Sequence, residues 1–241
     1  MTSVITLTGA SGCGKSEIIK ILTRIGKEKK YSNIFKPVMI PKYTTRDFRS
    51  SELNNIRNYN YEKLDVRPVS GKDNIVVDKE GVPLDLDEQK KERLRLFTQL
   101  KCDLVYEQYG NRYGIYMAEI YDNLKKGNSP IIILNDVRAV EDIKTFFGDK
   151  CISLFAFRKS PKMEDYVSMG EERESNYEDS YTRYNKANSI YRIYIENIHL
   201  FNKLILNVQE GDKSLDKLLH QLVDDICKPP IGFAQRGKID D

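Results

Sequence analysis

The chain has few of the residues that build zinc sites or disulfide frameworks. Its 241 residues include no tryptophan, two histidines and four widely spaced cysteines without a C-x-x-C pair. Structural zinc sites need several closely spaced Cys and His ligands, so this pattern argues against zinc. The sequence also lacks an apolar run long enough to span a bilayer, and no signal-peptide pattern opens it. We therefore expect a soluble, cytoplasmic protein without a membrane partner.

The charged residues are nearly balanced. The 39 Lys and Arg residues against 36 Asp and Glu residues give a formal net charge of +3. That excess is too small to indicate a nucleic-acid surface by itself, so we do not expect a nucleic-acid partner. With 40% hydrophobic and 31% charged residues, the composition suits one globular domain with room for an inserted subdomain.

The clearest functional signal is a glycine-rich loop between a strand pattern and a helix pattern. Residues 4–8 form an apolar, β-branched run typical of a strand buried on both faces. The loop that follows, residues 9–16, fits the phosphate-binding pattern G-x-x-x-x-G-K-[ST]. Its glycines let backbone N–H groups point at phosphate oxygens, and the helix presents its positive N-terminal end to the same anion. The candidate nucleotide-binding residues are Gly9, Ser11, Gly12, Cys13, Gly14, Lys15 and Ser16.

Three side chains of this loop carry specific expectations. Lys15 is placed to reach the β- and γ-phosphates of a nucleotide, and Ser16 is placed to ligate Mg²⁺. Cys13 has two open interpretations. It is either an oxidation-sensitive thiol or a small residue whose backbone matters more than its sulfur.

Apolar strand patterns alternate with helix patterns along much of the chain. Further strands are predicted at 38–40, 104–106, 131–134, 152–157 and 204–206. Helices are predicted at 118–126, 137–147, 177–200 and 215–227. This alternation predicts an α/β fold with a central parallel sheet covered on both faces. Ligands of such sheets bind at the carboxyl ends of the strands.

Two regions interrupt the alternation. Residues 43–116 are rich in Arg, Asn, Tyr and Gly and hold a charged helix pattern at 87–100, so we interpret them as an inserted subdomain. Residues 158–183 carry dense charge of both signs. They form either a solvated helical surface or a lid that closes over a nucleotide.

The inserted region contains candidate ligands for a second phosphate. Arg46 and Arg49 lie three positions apart, and Glu52 follows after three more. Two guanidinium forks can hold a dianionic phosphate by charge-assisted hydrogen bonds, while a carboxylate orients a fork. Residues 110–114, G-N-R-Y-G, are predicted to form a tight loop that presents the Tyr113 hydroxyl to the same phosphate.

In their order along the chain, these motifs resemble the guanylate kinase family. The phosphate loop is followed by TTR-x-x-R-x-x-E at 44–52, G-N-x-Y-G at 110–114, a strand that leads into Asp136 and a late strand that ends at Asn207. The resemblance implies a P-loop kinase fold in one domain, residues 1–228, followed by a C-terminal tail at 229–241. Its implied parts are a core (1–42, 117–157 and 183–228), an acceptor-binding subdomain (43–116) and a lid (158–182).

The resemblance also implies a reaction, the transfer of a phosphoryl group from ATP, with Mg²⁺, to the phosphate of GMP. The implied catalytic residues are Lys15, Arg173 and Arg183. The implied acceptor ligands are Arg46, Arg49, Tyr59, Tyr113 and Asp136. Asn207 is implied to lie beside the adenine of ATP.

The sequence departs from this family where the family reads guanine. Lys42, Leu104 and Ile115 stand where it has polar side chains, which leaves Asp103, Glu107 or Asp136 as substitutes. Lost base contacts weaken selectivity for GMP.

A second resemblance is to ribose 1,5-bisphosphate phosphokinase, through residues 43–47, 52–56 and 135–139. Neither pattern accounts for residues 64–99. The acceptor is therefore a nucleoside monophosphate or a ribose phosphate. Two other hypotheses remain: a non-catalytic module that binds phosphopeptides, and an ATPase with a polyanionic partner.

Overall fold

The fold was analysed in a computed structural model. It describes residues 2–58, 64–71, 74–158, 162–171, 177–207 and 214–228. The description excludes the side chains of residues 50, 51, 169–171, 177–179, 183, 188 and 207. The strands are β1 (Val4–Gly9), β2 (Pro37–Met39), β3 (Lys42–Thr44), β4 (Val66–Pro68), β5 (Leu104–Gln108), β6 (Asn111–Ile115), β7 (Ser129–Ile133), β8 (Cys151–Arg158) and β9 (Lys203–Asn207). The helices are α1 (Lys15–Ile25), α2 (Ser50–Arg57), α3 (Leu86–Leu100), α4 (Met117–Lys125), α5 (Val137–Phe147), α6 (Met163–Glu171), α7 (Tyr177–Glu196) and α8 (Ser214–Cys227).

A five-stranded parallel sheet forms the centre of the molecule. Its strand order is β2-β7-β1-β8-β9, and every pairing in it is parallel. All six residues of β1 are buried, as the continuous apolar pattern predicts for a strand covered on both faces. The predicted α/β fold with a central parallel sheet is confirmed.

Helices cover both faces of this sheet. Ile5 and Leu7 of β1 pack with α1 and α8 in one apolar cluster, while Val4 packs with α4 and α5 in another. Because successive side chains of a strand point to opposite faces, the two clusters lie on opposite sides of the sheet. The phosphate loop therefore begins at the carboxyl end of a fully buried central strand.

A second sheet lies between β2 and α4 in the sequence. Its strand order is β4-β3-β6-β5, with β3 and β4 parallel and the other two pairings antiparallel. The prediction of a tight loop at 110–114 is wrong. The chain turns at Tyr109 and Gly110, which have positive φ angles of 54° and 72°, and residues 111–115 then form β6. Tyr113 is therefore held by strand pairing, opposite Thr44 and Tyr106.

Most elements predicted from apolar patterns are confirmed, with small shifts at their ends. The helix predicted at 137–147 has those limits, whereas α7 ends at Glu196 and a 3-10 turn covers Ile198–Leu200. The patterns missed α2 and the short strands β3 and β4. Within the described part of the chain, we find no helix that combines the length and the hydropathy needed to cross a bilayer.

Candidate active site

The phosphate loop adopts the shape that its glycines predict. Gly12 and Gly14 have φ angles of 79° and 91°, in the left-handed region where glycine carries no side-chain penalty. Gly14 caps α1, and Ile18 N donates to its carbonyl at 2.9 Å. A glycine at this cap leaves room for an anion at the helix N-terminus, where backbone N–H groups are free of helical partners.

Lys15 spans the inside of the loop. Its Nζ donates to the carbonyl oxygens of Gly9 and Ala10 at 2.6 and 2.7 Å. An ammonium group held by two neutral carbonyls can exchange them for phosphate oxygens, which form stronger charge-assisted hydrogen bonds. At the start of the loop, Gly9 N donates to Asn135 Oδ1 at 3.2 Å, which ties the loop to the end of β7.

Cys13 packs beneath the loop. Only 1% of the residue is exposed, and its Sγ lies 3.9 Å from Lys15 Nζ. The same sulfur lies 2.7 Å from where a Cβ on Gly9 would stand. These contacts favour the interpretation of Cys13 as a small packing residue, because oxidation requires access to the thiol.

Arg46 is held in a fixed orientation by Glu52. Its Nη1 and Nη2 donate to the two carboxylate oxygens at 2.8 and 2.5 Å, and the two side chains are 14% and 11% exposed. Burial alone would lower the pKa of Arg46, but the ion pair with Glu52 outweighs it and raises that pKa. Glu52 also accepts the backbone N–H of Arg49 at 2.8 Å. One carboxylate thus orients the guanidinium and closes the first turn of α2.

Positive charges from both sides of the site converge on Asp65. Burial by itself would raise the pKa of this carboxyl, but the charges of Lys42, Arg46, Arg49 and Lys15 lower it below its ordinary value. Charges influence one another most strongly at short range in a partly buried site. The phosphate-loop lysine and the two arginines therefore act on the same carboxylate. We call Lys15, Lys42, Arg46, Arg49 and Asp65 the cleft charge cluster.

Lys42 is the most buried member of this cluster. Its side chain is 6% exposed, and Nζ donates to Ile133 O at 2.6 Å and lies 3.6 Å from Asp65 Oδ2. Burial lowers the pKa of Lys42, and the charges of Arg46 and Lys15 lower it further against the opposing effect of Asp65. The sequence analysis noted Lys42 only as a substitution and missed Asp65 altogether. A buried charged pair beside the phosphate loop has no sequence signature.

Tyr113, a predicted acceptor ligand, is influenced by the charges of the two arginines. Burial raises the pKa of its hydroxyl, and the charges of Arg46 and Arg49 oppose that rise. The Tyr113 ring stacks on that of Tyr106, with centroids 5.3 Å apart and planes 14° from parallel. The Tyr113 hydroxyl is thus influenced by both arginines and is hydrogen-bonded to the Thr44 side chain, while its ring packs into the core.

Two residues within 64–99, Asn74 and Arg93, contact the segment that carries Arg46. The Asn74 side chain donates to Arg46 O at 2.8 Å and to Thr44 O at 3.2 Å, and it accepts backbone N–H groups from the chain at 69 and 70. From α3, the buried Arg93 forms an ion pair with Asp47, next to Arg46. The role that the sequence left open for this stretch is therefore, in part, to brace the segment that carries Arg46.

The three carboxylates considered as substitutes for base-reading groups have other contacts or lie on another strand face. Glu107 is exposed and alternates along β5 with the buried Tyr106, so it lies on the other face of that strand. Asp103 accepts Met117 N at 2.8 Å, and Asp136 accepts Ala139 N at 2.9 Å as the cap of α5. Glu107 could read a base on the face of Tyr106 only after a local rearrangement of the strand. Asp136 remains a candidate because its charge contributes to the raised pKa of Tyr106.

Several predicted site residues lie outside the described part of the molecule. Tyr59 and Arg173 are not described, and Arg183 and Asn207 are described only in their backbones, in α7 and at the end of β9. Among the described residues, no three His, Cys, Asp or Glu side chains group together as a metal site. A single hydroxyl ligand such as Ser16 is consistent with Mg²⁺ held mainly by phosphate oxygens and water.

Comparison with solved structures identifies the fold. The chain is similar to the crystal structure of guanylate kinase from Anaplasma phagocytophilum, with a TM-score of 0.51 and 18% sequence identity over 94% of this chain and 87% of that one. The fold is that of a P-loop kinase. The likeness covers most of the chain, and at this identity it concerns the fold alone.

Two further solved structures match more weakly. Dephospho-CoA kinase from Campylobacter jejuni has a TM-score of 0.44 and 14% identity over 94% of this chain and 98% of that one. An uncharacterized protein from Eubacterium ventriosum ATCC 27560 has a TM-score of 0.38 and 12% identity over the same shares. No family model and no curated protein sequence matches the chain.

Proposed function

We propose that this protein transfers the γ-phosphoryl group of ATP to the phosphate of a small phosphorylated acceptor. The observation that carries the proposal is that the charges of Lys15, Arg46 and Arg49 all act on Asp65. It supports a site in which a loop suited to a triphosphate lies near a pair of guanidinium groups suited to a second phosphate. Phosphoryl transfer needs this juxtaposition, because the acceptor oxygen must approach the γ-phosphorus in line with the leaving oxygen.

The residues of the phosphate loop fit a bound nucleotide triphosphate. The N–H groups at the start of a helix such as α1 are suited to bind an anion. The Lys15 ammonium is held by two carbonyls that phosphate oxygens can replace. We assign Ser16 as the Mg²⁺ ligand; when bound, Mg²⁺ neutralises charge on the β- and γ-phosphates. Asn207 is proposed beside the adenine, and Arg173 and Arg183 are proposed to stabilise the transferring group.

The arginine pair fits the phosphate of the acceptor. Glu52 holds Arg46 by both oxygens, so its guanidinium is already oriented before an acceptor binds. Arg49 is exposed beside it at the start of α2, and the Tyr113 hydroxyl completes a group of donors for a dianion. We propose Tyr59 and Asp136 as further acceptor ligands. GMP and ribose 1,5-bisphosphate are the acceptors that the motifs favour.

Acceptor-dependent release of ADP from Mg-ATP tests the proposal. The protein is incubated with GMP, AMP, UMP, ribose 5-phosphate and ribose 1,5-bisphosphate in separate reactions. We expect ADP release above the rate with water for at least one acceptor, and loss of that release in Lys15→Met. The matched control is Lys20→Met, because Lys20 lies on the same helix with a side chain that is 78% exposed.

Two outcomes would contradict the proposal. ADP release that never exceeds the rate with water would exclude transfer to these acceptors. Binding of a phosphopeptide through Arg46 and Arg49, without binding of ATP, would instead favour a non-catalytic binding module.

A further inference from the structure

The ring of Tyr113 offers no face to a nucleobase. Tyr106 stacks on it at a centroid distance of 5.3 Å, and the Lys42 ammonium lies over the same ring at 5.7 Å from its centroid. Both tyrosines are 8% exposed, and Lys42 is 5% exposed. Aromatic side chains bind bases by stacking on an open ring face. Here that surface is already used for packing within the protein.

The apolar residues next to the two tyrosines are also buried. Leu104 is 6% exposed and Ile115 is 1% exposed, and both pack in the same apolar cluster as Tyr106 and Tyr113. A purine here would meet hydrocarbon where its edge needs hydrogen-bond partners. Burying polar base edges without hydrogen-bond partners is costly. A base is therefore disfavoured here for two reasons: the ring of Tyr113 has no open face for stacking, and Leu104 and Ile115 have no polar groups to pair with its edge.

Asp65 is the accessible acidic group of the cleft charge cluster. Its side chain is 34% exposed, in contrast to that of Lys42, and it lies in the field of Lys15, Arg46 and Arg49. A carboxylate beside the proposed phosphate site of Arg46 and Arg49 repels the acceptor's own phosphate. Asp65 is already the ion-pair partner of Lys42, but its exposed part can also accept hydrogen bonds from the acceptor. Hydroxyl groups are the donors that fit beside a phosphate ester.

We infer that the acceptor is a small phosphate ester without a nucleobase, of the sugar phosphate class, whose hydroxyl groups donate to Asp65. This inference rests on the proposed phosphoryl transfer and narrows its acceptor. A phosphate oxygen of the ester forms a bond to the γ-phosphorus of ATP, and the bond from that phosphorus to the β,γ-bridging oxygen breaks. ADP leaves, and the ester becomes a diphosphate. Lys42 and Tyr106 act as specificity residues by filling the place of a base.

Calorimetric titration with ribose 5-phosphate and GMP tests the inference. The two ligands share a 5-phosphorylated ribose and differ in the guanine, so the comparison isolates the base. With Mg-ADP at saturation, we expect ribose 5-phosphate to bind at least about tenfold more tightly than GMP. Equal or tighter binding of GMP would overturn the inference, and so would failure of both ligands to bind.

Variants of Asp65 and Tyr106 test the inference further. In Asp65→Asn, we expect the affinity for ribose 5-phosphate to fall about tenfold. The affinity for inorganic phosphate, which has no sugar hydroxyls, should stay the same or rise, whereas general damage to the site would weaken both ligands. The matched control is Asp87→Asn on α3, whose side chain is 86% exposed. Equal loss for the two ligands would count against a hydroxyl-reading role.

A Tyr106→Ala variant tests the closed surface directly. Removing this ring frees one face of Tyr113, so GMP should gain affinity relative to ribose 5-phosphate, while Tyr106→Phe should leave the ratio unchanged. If Tyr106→Ala does not fold, the comparison of ribose 5-phosphate with GMP on the wild type still tests whether a base is excluded.

The outcomes also separate the inference from the proposed function. If ribose 5-phosphate binds and no tested acceptor stimulates ADP release, phosphoryl transfer fails while the acceptor class stands. If GMP is phosphorylated and ribose 5-phosphate is not bound, transfer stands and the inference fails.

Discussion

Replacing Glu52 by Gln tests whether the orientation of Arg46 depends on a buried ion pair. The carboxylate makes three short contacts: two with the Arg46 guanidinium at 2.5 and 2.8 Å, and one with Arg49 N at 2.8 Å. Glutamine keeps one oxygen acceptor and replaces the other by an N–H₂ group that faces a donor. At least one charge-assisted bond is lost, and a guanidinium that is 14% exposed loses its hydrogen-bonded counter-charge.

The expected loss follows from this burial. Breaking one partner of a buried, hydrogen-bonded ion pair costs about 3–5 kcal/mol, and the retained amide contacts reduce the cost to roughly 1–3 kcal/mol. The free energy of unfolding is measured by urea denaturation followed by circular dichroism. Calorimetry on the same variant should show weaker binding of a phosphate ester, because Glu52 no longer orients the Arg46 guanidinium.

A second ion pair supplies the matched control. Glu92 binds Arg95 through two contacts at 2.8 and 2.5 Å, the same lengths as in the Glu52 pair, but on the exposed face of α3. Solvent and salt screen such a pair, so Glu92→Gln should have little effect on stability. If Glu52→Gln destabilises the protein no more than Glu92→Gln does, the reasoning from burial is refuted.

Three further predictions concern the support of the site. Asn74→Ala should lower the free energy of unfolding by about 1–3 kcal/mol in urea denaturation, because it leaves the Arg46 carbonyl without its donor; an unchanged value would contradict the bracing role. Gly9→Ala should lower stability by about 1–3 kcal/mol, since its Cβ would lie 2.6 Å from Ala156 O, and an unchanged melting temperature would exclude that contact. Because neighbouring cations hold the pKa of Asp65 below its ordinary value, its ionisation stabilises the fold above about pH 4, and this contribution disappears as the pH falls through the folded-state pKa. The stability difference between wild type and Asp65→Asn in urea should therefore change between pH 6 and pH 3, and a constant difference would contradict the assignment.

The sequence predicted the parts of this molecule whose signal is local. A β-branched run, three glycines and a lysine at the position that the phosphate-loop pattern requires are enough to indicate β1, the phosphate loop and α1, because backbone conformation and strand burial depend on consecutive residues. The alternation of strands and helices likewise predicted the parallel sheet. The short strands β3 and β4 were missed, because three-residue strands show too little periodicity to be recognised.

The acceptor side of the site depends on contacts between distant residues, and the sequence predicted it only in part. The Arg46 pair with Glu52 was expected from spacing along one segment. The ion pair of Lys42 with Asp65 joins β3 to the residue before β4, and the Tyr106 stack joins two strands of a hairpin. Strand register brings these groups together, and register is set by pairing across the sheet. The predicted loop at Tyr113 failed for the same reason.

The most direct test of the central claim is a probe that reaches from the phosphate loop to the arginine pair. Adenosine 5′-pentaphosphate extends ATP by two phosphates and carries no second base. If Lys15 and Arg46 face one cleft, it should bind at least about tenfold more tightly than ATP in calorimetry, because the added phosphates reach a second set of cations without a second association cost. This advantage should disappear in Arg46→Met. Equal affinities of the two nucleotides for the wild type, or an advantage that survives in Arg46→Met, would contradict the account.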